Sequence, residues 1–365
     1  MVIGRENMDY KLYILSAVIS LFAIMACNVC DNSGVIEERI PKNIYFTSQL
    51  LNSNAISVYG ADYKNFSMDL IQNEAVLLSA PSRDGNLAVL IKSNNRSAIE
   101  MINLKSGIST NLLSEQEANY YTDYGLSGNA NALYTINKSN ECMLLDVNTK
   151  LNTRIDRTLN PALRPSFSPD GKYFSYLEAG SSPRENTLHI VDATNPKVEY
   201  FSVIVPYSIS IYNSNGKSEM SWSKDAKSIL IAVEAKYSVD STVSSILQIN
   251  LADITTVIID LNGVYAYEPK YSPDSKYFIF ADIDGNIRKA VKTADDLYSI
   301  SYLIKGNIEE KCYYTGFNSD ASALIYSKRN KYEKMQFAGN LYVTDLKSGI
   351  SRYLFSNVYA GFWYN

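Results

Sequence analysis

Residues Arg164 to Tyr176 read RPSFSPDGKYFSY, and this stretch decides the fold. Ser168, Pro169, Asp170 and Gly171 have the chemistry of a four-residue turn: Pro presets φ, Asp bonds back to the local backbone, and Gly suits the end. Phe167 precedes the turn and Tyr173, Phe174, Tyr176 and Leu177 follow it. Those flanks are too short and too aromatic for helices and apolar enough to be covered on both faces. The stretch predicts a strand, a forced turn and a second strand.

The same pattern recurs. Aligned on the turn residue, copies lie at Asp84, Asn129, Asp170, Asp225, Asp274 and Asp320, at spacings of 45, 41, 55, 49 and 46 residues. Such a period suits a four-stranded propeller blade. The second half of each unit repeats too: LKSGIS occurs at Leu104 to Ser109 and again at Leu346 to Ser351, each time between apolar segments. Each unit therefore reads as strand A, the Ser-x-Asp turn, strand B, a hairpin, strand C, a polar turn and strand D.

Six turns point to six blades, and the chain ends add a seventh. NVYAGFWYN at the C-terminus reads as a strand A that stops where its turn would begin, with Trp363 in the place of Phe167, Trp222, Tyr271 and Phe317. Lys42 to Ser48 reads as the matching strand B, with Ala55 to Ala61 as C and Asn65 to Gln72 as D. The expectation is an all-β, seven-bladed β-propeller of four-stranded antiparallel blades over residues 42–365, its closing blade shared by the two termini; six blades is the alternative. Sharing the last blade removes open sheet edges.

The (F/W/Y)-S-P-D-G-K pattern resembles the WD40-like repeat of TolB-type β-propellers, also found in tricorn and prolyl-oligopeptidase-type propellers. It is complete at Asp170, nearly so at Asp274, and degraded elsewhere. TolB-type proteins carry a separate N-terminal domain for which this chain has no room, so the partner role of that family is not implied. A hydrolase domain after the repeats is not expected, which sets peptidase activity aside.

Met1 to Cys27 has a different character. Lys11 precedes an uncharged run from Leu12 to Met25, the length of a secretory h-region and short for a membrane span. Ile24-Met25-Ala26-Cys27 resembles a lipobox, which implies a signal peptide over residues 1–27, lipidation of Cys27, and a tether over residues 28–41. Acyl chains contribute about 0.8 kcal/mol per buried CH₂, enough for durable attachment to a membrane. The expected address is the cell envelope of a bacterium, at the outer membrane or cell surface or on the periplasmic side, with the lipid as the membrane contact.

Composition narrows the chemistry. The chain has 365 residues, 46% of them hydrophobic, and a net charge of -4 without a basic run, so nucleic acid is not an expected partner. Beyond Cys27 there are Cys30, Cys142 and Cys312; the last two fall in blades that are not neighbours, which disfavours a bridge. No cofactor and no metal site is expected. His189, the only histidine, stands alone in a strand C and reads as a packing or surface residue. Asp282 to Asn286 superficially resembles a calcium loop, but its Gly comes too early and no Glu follows, so it reads as a hairpin turn.

The candidate site lies where strand D of one blade crosses to strand A of the next, which in propellers gathers on one face around the central channel. Tyr124, Tyr267, Tyr313 and Tyr314 sit at these crossings. Six residues before the turn residue, inner strands carry Asp123, Arg164, Glu219 and Glu268. Aromatic faces rimmed by charge suit a glycan or an extended peptide. The reading is a monomeric, non-catalytic scaffold binding an envelope protein or glycan; the alternative is a glycan- or peptide-acting enzyme, with Glu219 and Glu268 as its carboxylates.

Overall fold

The computed structural model describes residues 44–49, 56–64, 67–73, 75–79, 82–92, 99–113, 121–137, 139, 141–155, 157, 159, 163–182, 184–210, 218–238, 241–294, 297–307, 309–330 and 339–363. The signal segment with Cys27, and the tether, lie outside them. Contacts divide the chain into residues 1–39 and a repeat unit from Ile40 to Asn365, and the unit is described by itself.

Among the described residues the strands form a seven-bladed all-β propeller. Blade 1 runs Ala75–Leu78, Leu87–Lys92, Ile99–Asn103 and Ser109–Leu113. Blade 2 begins with Tyr121–Leu126, blade 3 with Ser166–Phe167 and blade 5 with Ala266–Tyr271, each heading a four-stranded antiparallel sheet. Blade 4 departs from the four-strand expectation. Its inner position is split between Ser208–Ile209 and Ser221–Trp222, and both pair with the long Ser228–Ser238. The longer spacing of 55 residues between Asp170 and Asp225 supplies the extra chain.

Blades 6 and 7 share one strand. Ser351–Trp363 pairs through its first part with Gly339–Asp345 and through its last part with Ile44–Gln49, in the register Ile44↔Trp363, Tyr45↔Phe362 and Phe46↔Gly361. Ile44–Gln49 then pairs with Ile56–Asp62, and that strand with Ser67–Gln72.

The repeated turn has one chemistry. Ser82, Ser168, Ser223 and Ser272 each donate a hydroxyl hydrogen bond to the Asp two residues on, at 2.6 to 2.7 Å. The same hydroxyls accept the backbone N–H five residues on, closing the turn from inside. Ser127 with Asn129 repeats this in blade 2, and Asn318 replaces Ser in blade 6. The residue after the Asp or Asn is left-handed in all six copies, at φ 55 to 70. Gly fills that place only at Gly85 and Gly171, while Ala130, Ala226, Ser275 and Ala321 hold it against their Cβ.

Central strands are apolar on both faces because each blade is covered by its neighbours. Ile229 to Val233 is an uninterrupted buried run, with alternate residues facing opposite blades. Leu230, Ala232 and Ile246 of blade 4 pack on Phe278, Phe280 and Ala290 of blade 5, whereas Ile229, Ile231 and Val233 join Leu188 and Ile190 of blade 3. Each such side chain contributes about 1.5–3 kcal/mol on full burial. Stability is thus distributed around the ring, and the inner strands are free to carry irregular backbone.

Candidate functional site

The inner strands of blades 3 and 4 run side by side. Leu163–Arg164 and Ser218–Glu219 form a parallel pair with Arg164 opposite Glu219. Two of the residues singled out by their offset from the turn are thus brought together in register. The side chains of Arg164, Glu219 and Tyr314 lie outside the described residues.

Blade 2 contributes Asp123 and Tyr124. Asp123 is buried, and its Oδ1 accepts the N–H of Tyr124 at 2.9 Å. The Tyr124 hydroxyl is enclosed without a hydrogen-bond partner among the described residues. Burial, and then the Asp123 carboxylate, push that phenol well above its ordinary range. Cys142, on strand Cys142–Asp146 of the same blade, is a buried free thiol raised by burial and then by the Asp123 carboxylate. Cys312 is likewise buried and free.

Blade 5 holds the most unusual backbone at the site. Strand Ala266–Tyr271 pairs Tyr267 with Ala281 and Lys270 with Ile279, so Glu268 and Pro269 bulge out of the ladder. Glu268 is left-handed at φ 50. The residue before a proline is normally extended, so this conformation costs roughly 1–3 kcal/mol and is held by its surroundings. A bulge re-aims side chains. Here it sends Tyr267 into the packing, 5% exposed, and puts Glu268, Pro269 and Lys270 on the wall of a cavity of about 260 Å³. Phe167 of blade 3 with Met220 and Trp222 of blade 4 line the other sides. Sequence reasoning treats Tyr267 and Glu268 alike; the structure separates a packing ring from a lining carboxylate.

Blade 6 contributes Tyr313, on strand Glu310–Phe317, and Arg329, on strand Ala323–Asn330. The Arg329 guanidinium carbon lies 5.2 Å from the centre of the Tyr313 ring. Burial raises the Tyr313 phenol, Arg329 works against that and the Glu268 carboxylate adds to it, so the three groups feel one another across the blades 5 and 6 boundary. Arg329 is absent from the sequence reading. The available signal was position alone: the end of a strand B lies on the same face as the crossings.

Away from this wall, His189 is buried and saturated. Its Nε2 lies 2.8 Å from Glu178 Oε2 and its Nδ1 2.8 Å from Glu199 Oε1. Arg157 bonds both carboxylates, at 3.0 and 3.4 Å, and Tyr176 stacks on the imidazole. The histidine is a packing residue inside an ionic clasp. Asp282 to Asn286 is a hairpin turn in which the Asp282 carboxylate accepts from the Asn286 backbone and side chain and from Arg288. Among the described residues, no cluster of three or more His, Cys, Asp or Glu could hold a metal ion.

No family model and no curated protein matches the chain. Solved structures do. The β-propeller domain of the Trilobed protease from Pyrococcus furiosus aligns with 88% of this chain and 97% of its own, at 12% identity and a TM-score of 0.59. The β-propeller domain of Cps50 (Swd1) from Myceliophteria thermophila aligns over 77% and 89%, at 12% identity and a TM-score of 0.52. TolB from Acinetobacter baumannii covers 92% and 89% at 13% identity, with a TM-score of 0.48. At such identities the likeness concerns the fold alone, and the two propeller domains carry it.

Proposed function

We propose that this protein is a non-catalytic binding scaffold of the bacterial cell envelope, attached to a membrane by lipid on Cys27, with its ligand seated against the channel-facing inner strands. The ligand class is an envelope protein or glycan, and the candidate contacts are Asp123, Tyr124, Arg164, Glu219, Glu268, Tyr313 and Tyr314, with Tyr267 shaping the wall from behind. We also propose that the pairing of Ile44–Gln49 with Ser351–Trp363 is what closes the ring.

The observation carrying the binding reading is the Glu268 bulge. A non-glycine residue held left-handed ahead of a proline, on the wall of an aromatic-lined cavity, spends backbone energy to place a carboxylate. The alanines of the turns are left-handed too, but they close a turn, whereas Glu268 takes this conformation ahead of a proline and out of the ladder.

The test uses Glu268→Gly with Lys270→Ala. Glycine accepts φ near 50 without strain, so the double variant keeps or gains thermal stability while stripping the charged wall. Immobilised wild-type and variant chains are exposed to solubilised envelope extract and to a glycan array. Retention by the wild type that the variant loses is expected; identical retention by both overturns the reading.

A further inference from the structure

Arg329 is the group whose surroundings make least sense as packing. Its Nε is buried and has no hydrogen-bond partner among the described residues. Burial draws the guanidinium below its ordinary range, with Tyr313 and Glu268 the nearby charges and dipoles that oppose the change. Native proteins pair nearly all buried donors, and a guanidinium carries five of them in a planar fork. A fork whose Nε is enclosed without a partner among the described residues, beside an aromatic face, is matched to an anion.

The side chain is also held in place. A Cβ at Gly339 would stand 2.7 Å from Arg329 Cγ and 2.8 Å from the Lys328 carbonyl oxygen, so glycine lets the neighbouring strand close down on the arginine stem. From the other side the Tyr313 ring faces the guanidinium. Ser327 shares Arg329's face of the strand, two residues away, and its buried hydroxyl likewise lacks a partner among the described residues. Pre-organised, desolvated Arg and Tyr pairs are what dominate binding energy at protein interfaces.

We propose that Arg329 and Tyr313 form a carboxylate-binding subsite for an acidic side chain or C-terminus of a protein ligand; this rests on the scaffold reading and names the chemistry of its ligand. The recessed guanidinium decides for a peptide over an acidic glycan. An Asp, Glu or C-terminal carboxylate reaches inward on a flexible stem, whereas a uronic acid carries its carboxylate directly on a ring. The fork accepts the carboxylate side-on through two N–H donors.

The test is a peptide array in which every acidic peptide is matched by its Asn or Gln counterpart, with an oligogalacturonate as the glycan arm and acetate as the free carboxylate. The wild-type full chain is expected to bind acidic members at least about tenfold more tightly than their amide partners. Arg329→Met is expected to erase that preference while its melting temperature stays or rises, because it removes a guanidinium whose enclosed Nε has no hydrogen-bond partner among the described residues. Arg329→Lys retains the charge without the fork and recovers only part of the preference. Equal binding of acid and amide members, an unchanged preference in Arg329→Met, or saturation by oligogalacturonate or acetate alone overturns the subsite and leaves the scaffold standing. Absence of binding to every array member and every envelope component overturns both.

Discussion

The Ser168 hydroxyl donates to the Asp170 carboxylate at 2.6 Å and, buried beneath the turn, accepts the N–H of Tyr173 at 3.0 Å. Ser168 in RPSFSPDGKYFSY is thus a bracket joining a turn to the strand that leaves it. Ser168→Ala strands the Tyr173 N–H inside the blade and frees Asp170 from its anchor. Leaving a buried donor unpaired costs about 1–3 kcal/mol. Chemical denaturation is expected to show a midpoint lowered accordingly with an unchanged slope; an unshifted midpoint would remove the bracket from the stabilising set.

The left-handed position after each turn Asp gives a prediction of opposite sign. Ala130, Ala226 and Ala321 sit at φ 55 to 58 where Gly85 and Gly171 sit freely. Replacing each alanine with glycine relieves a strain of roughly 1 kcal/mol, partly offset by the greater freedom of glycine in the unfolded chain. The triple variant is expected to melt higher than the parent, and a lower melting temperature would show that these methyl groups pack usefully.

Acid should weaken the turns. Hydrogen bonds from Ser82, Ser223 and Ser322 lead in holding Asp84, Asp225 and Asp320 below the ordinary carboxylate range. At Asp274 burial pushes upward first but is outweighed by the bonds from Ser272 and Lys276. Glu178 behaves similarly, its burial overcome by Arg157 and His189. The sign follows from linkage: a carboxyl depressed in the folded state stabilises at pH above its unfolded value, about 4, and loses that contribution as pH falls through the folded value. Melting temperature is expected to hold from neutral pH to about 5 and to fall steeply below about 4, with a shallower fall in Ser82→Ala/Ser223→Ala, whose aspartates titrate closer to their unfolded value.

How far the sequence could be read follows from where each property resides. Turn chemistry is local, so Ser168 to Gly171 announces itself and the degraded copies at Asn129, Asp225 and Asp320 are recovered from their period. The same spacing accounts for six blades, and the strand patterns at the two chain ends supply the seventh. Arg329 is invisible by contrast, because the enclosure of its Nε without a partner among the described residues is a fact about three strands at once. The His189 clasp joins Arg157, Glu178 and Glu199 through cross-strand register, which no linear pattern states. Glu268 misleads outright: ahead of a proline, in a strand, it reads as extended, and only the surrounding blades hold it otherwise.

The shared strand yields the last prediction. Ile44, Tyr45 and Phe46 are each at most 1% exposed, and their backbone partners on one side are Trp363, Phe362 and Gly361. Val358 packs with Ile44 and Phe46 in the cluster between blades 6 and 7. Deleting residues 358–365 therefore removes one ladder from Ile44–Gln49, opens a sheet edge, and thins the apolar contact between blades 6 and 7. Burying fewer large side chains on that scale costs several kcal/mol, in the range of one or two large-to-small core substitutions at about 2–5 kcal/mol each. The truncated chain is expected to melt well below the parent and to associate through its open edge, since an unpaired strand recruits other chains. Ile44→Ala separates the two contributions: it weakens the packing but keeps the ladder, so it should lower the melting temperature without association. A truncated chain that stays monomeric and melts like the parent would show that the ring holds without its shared strand.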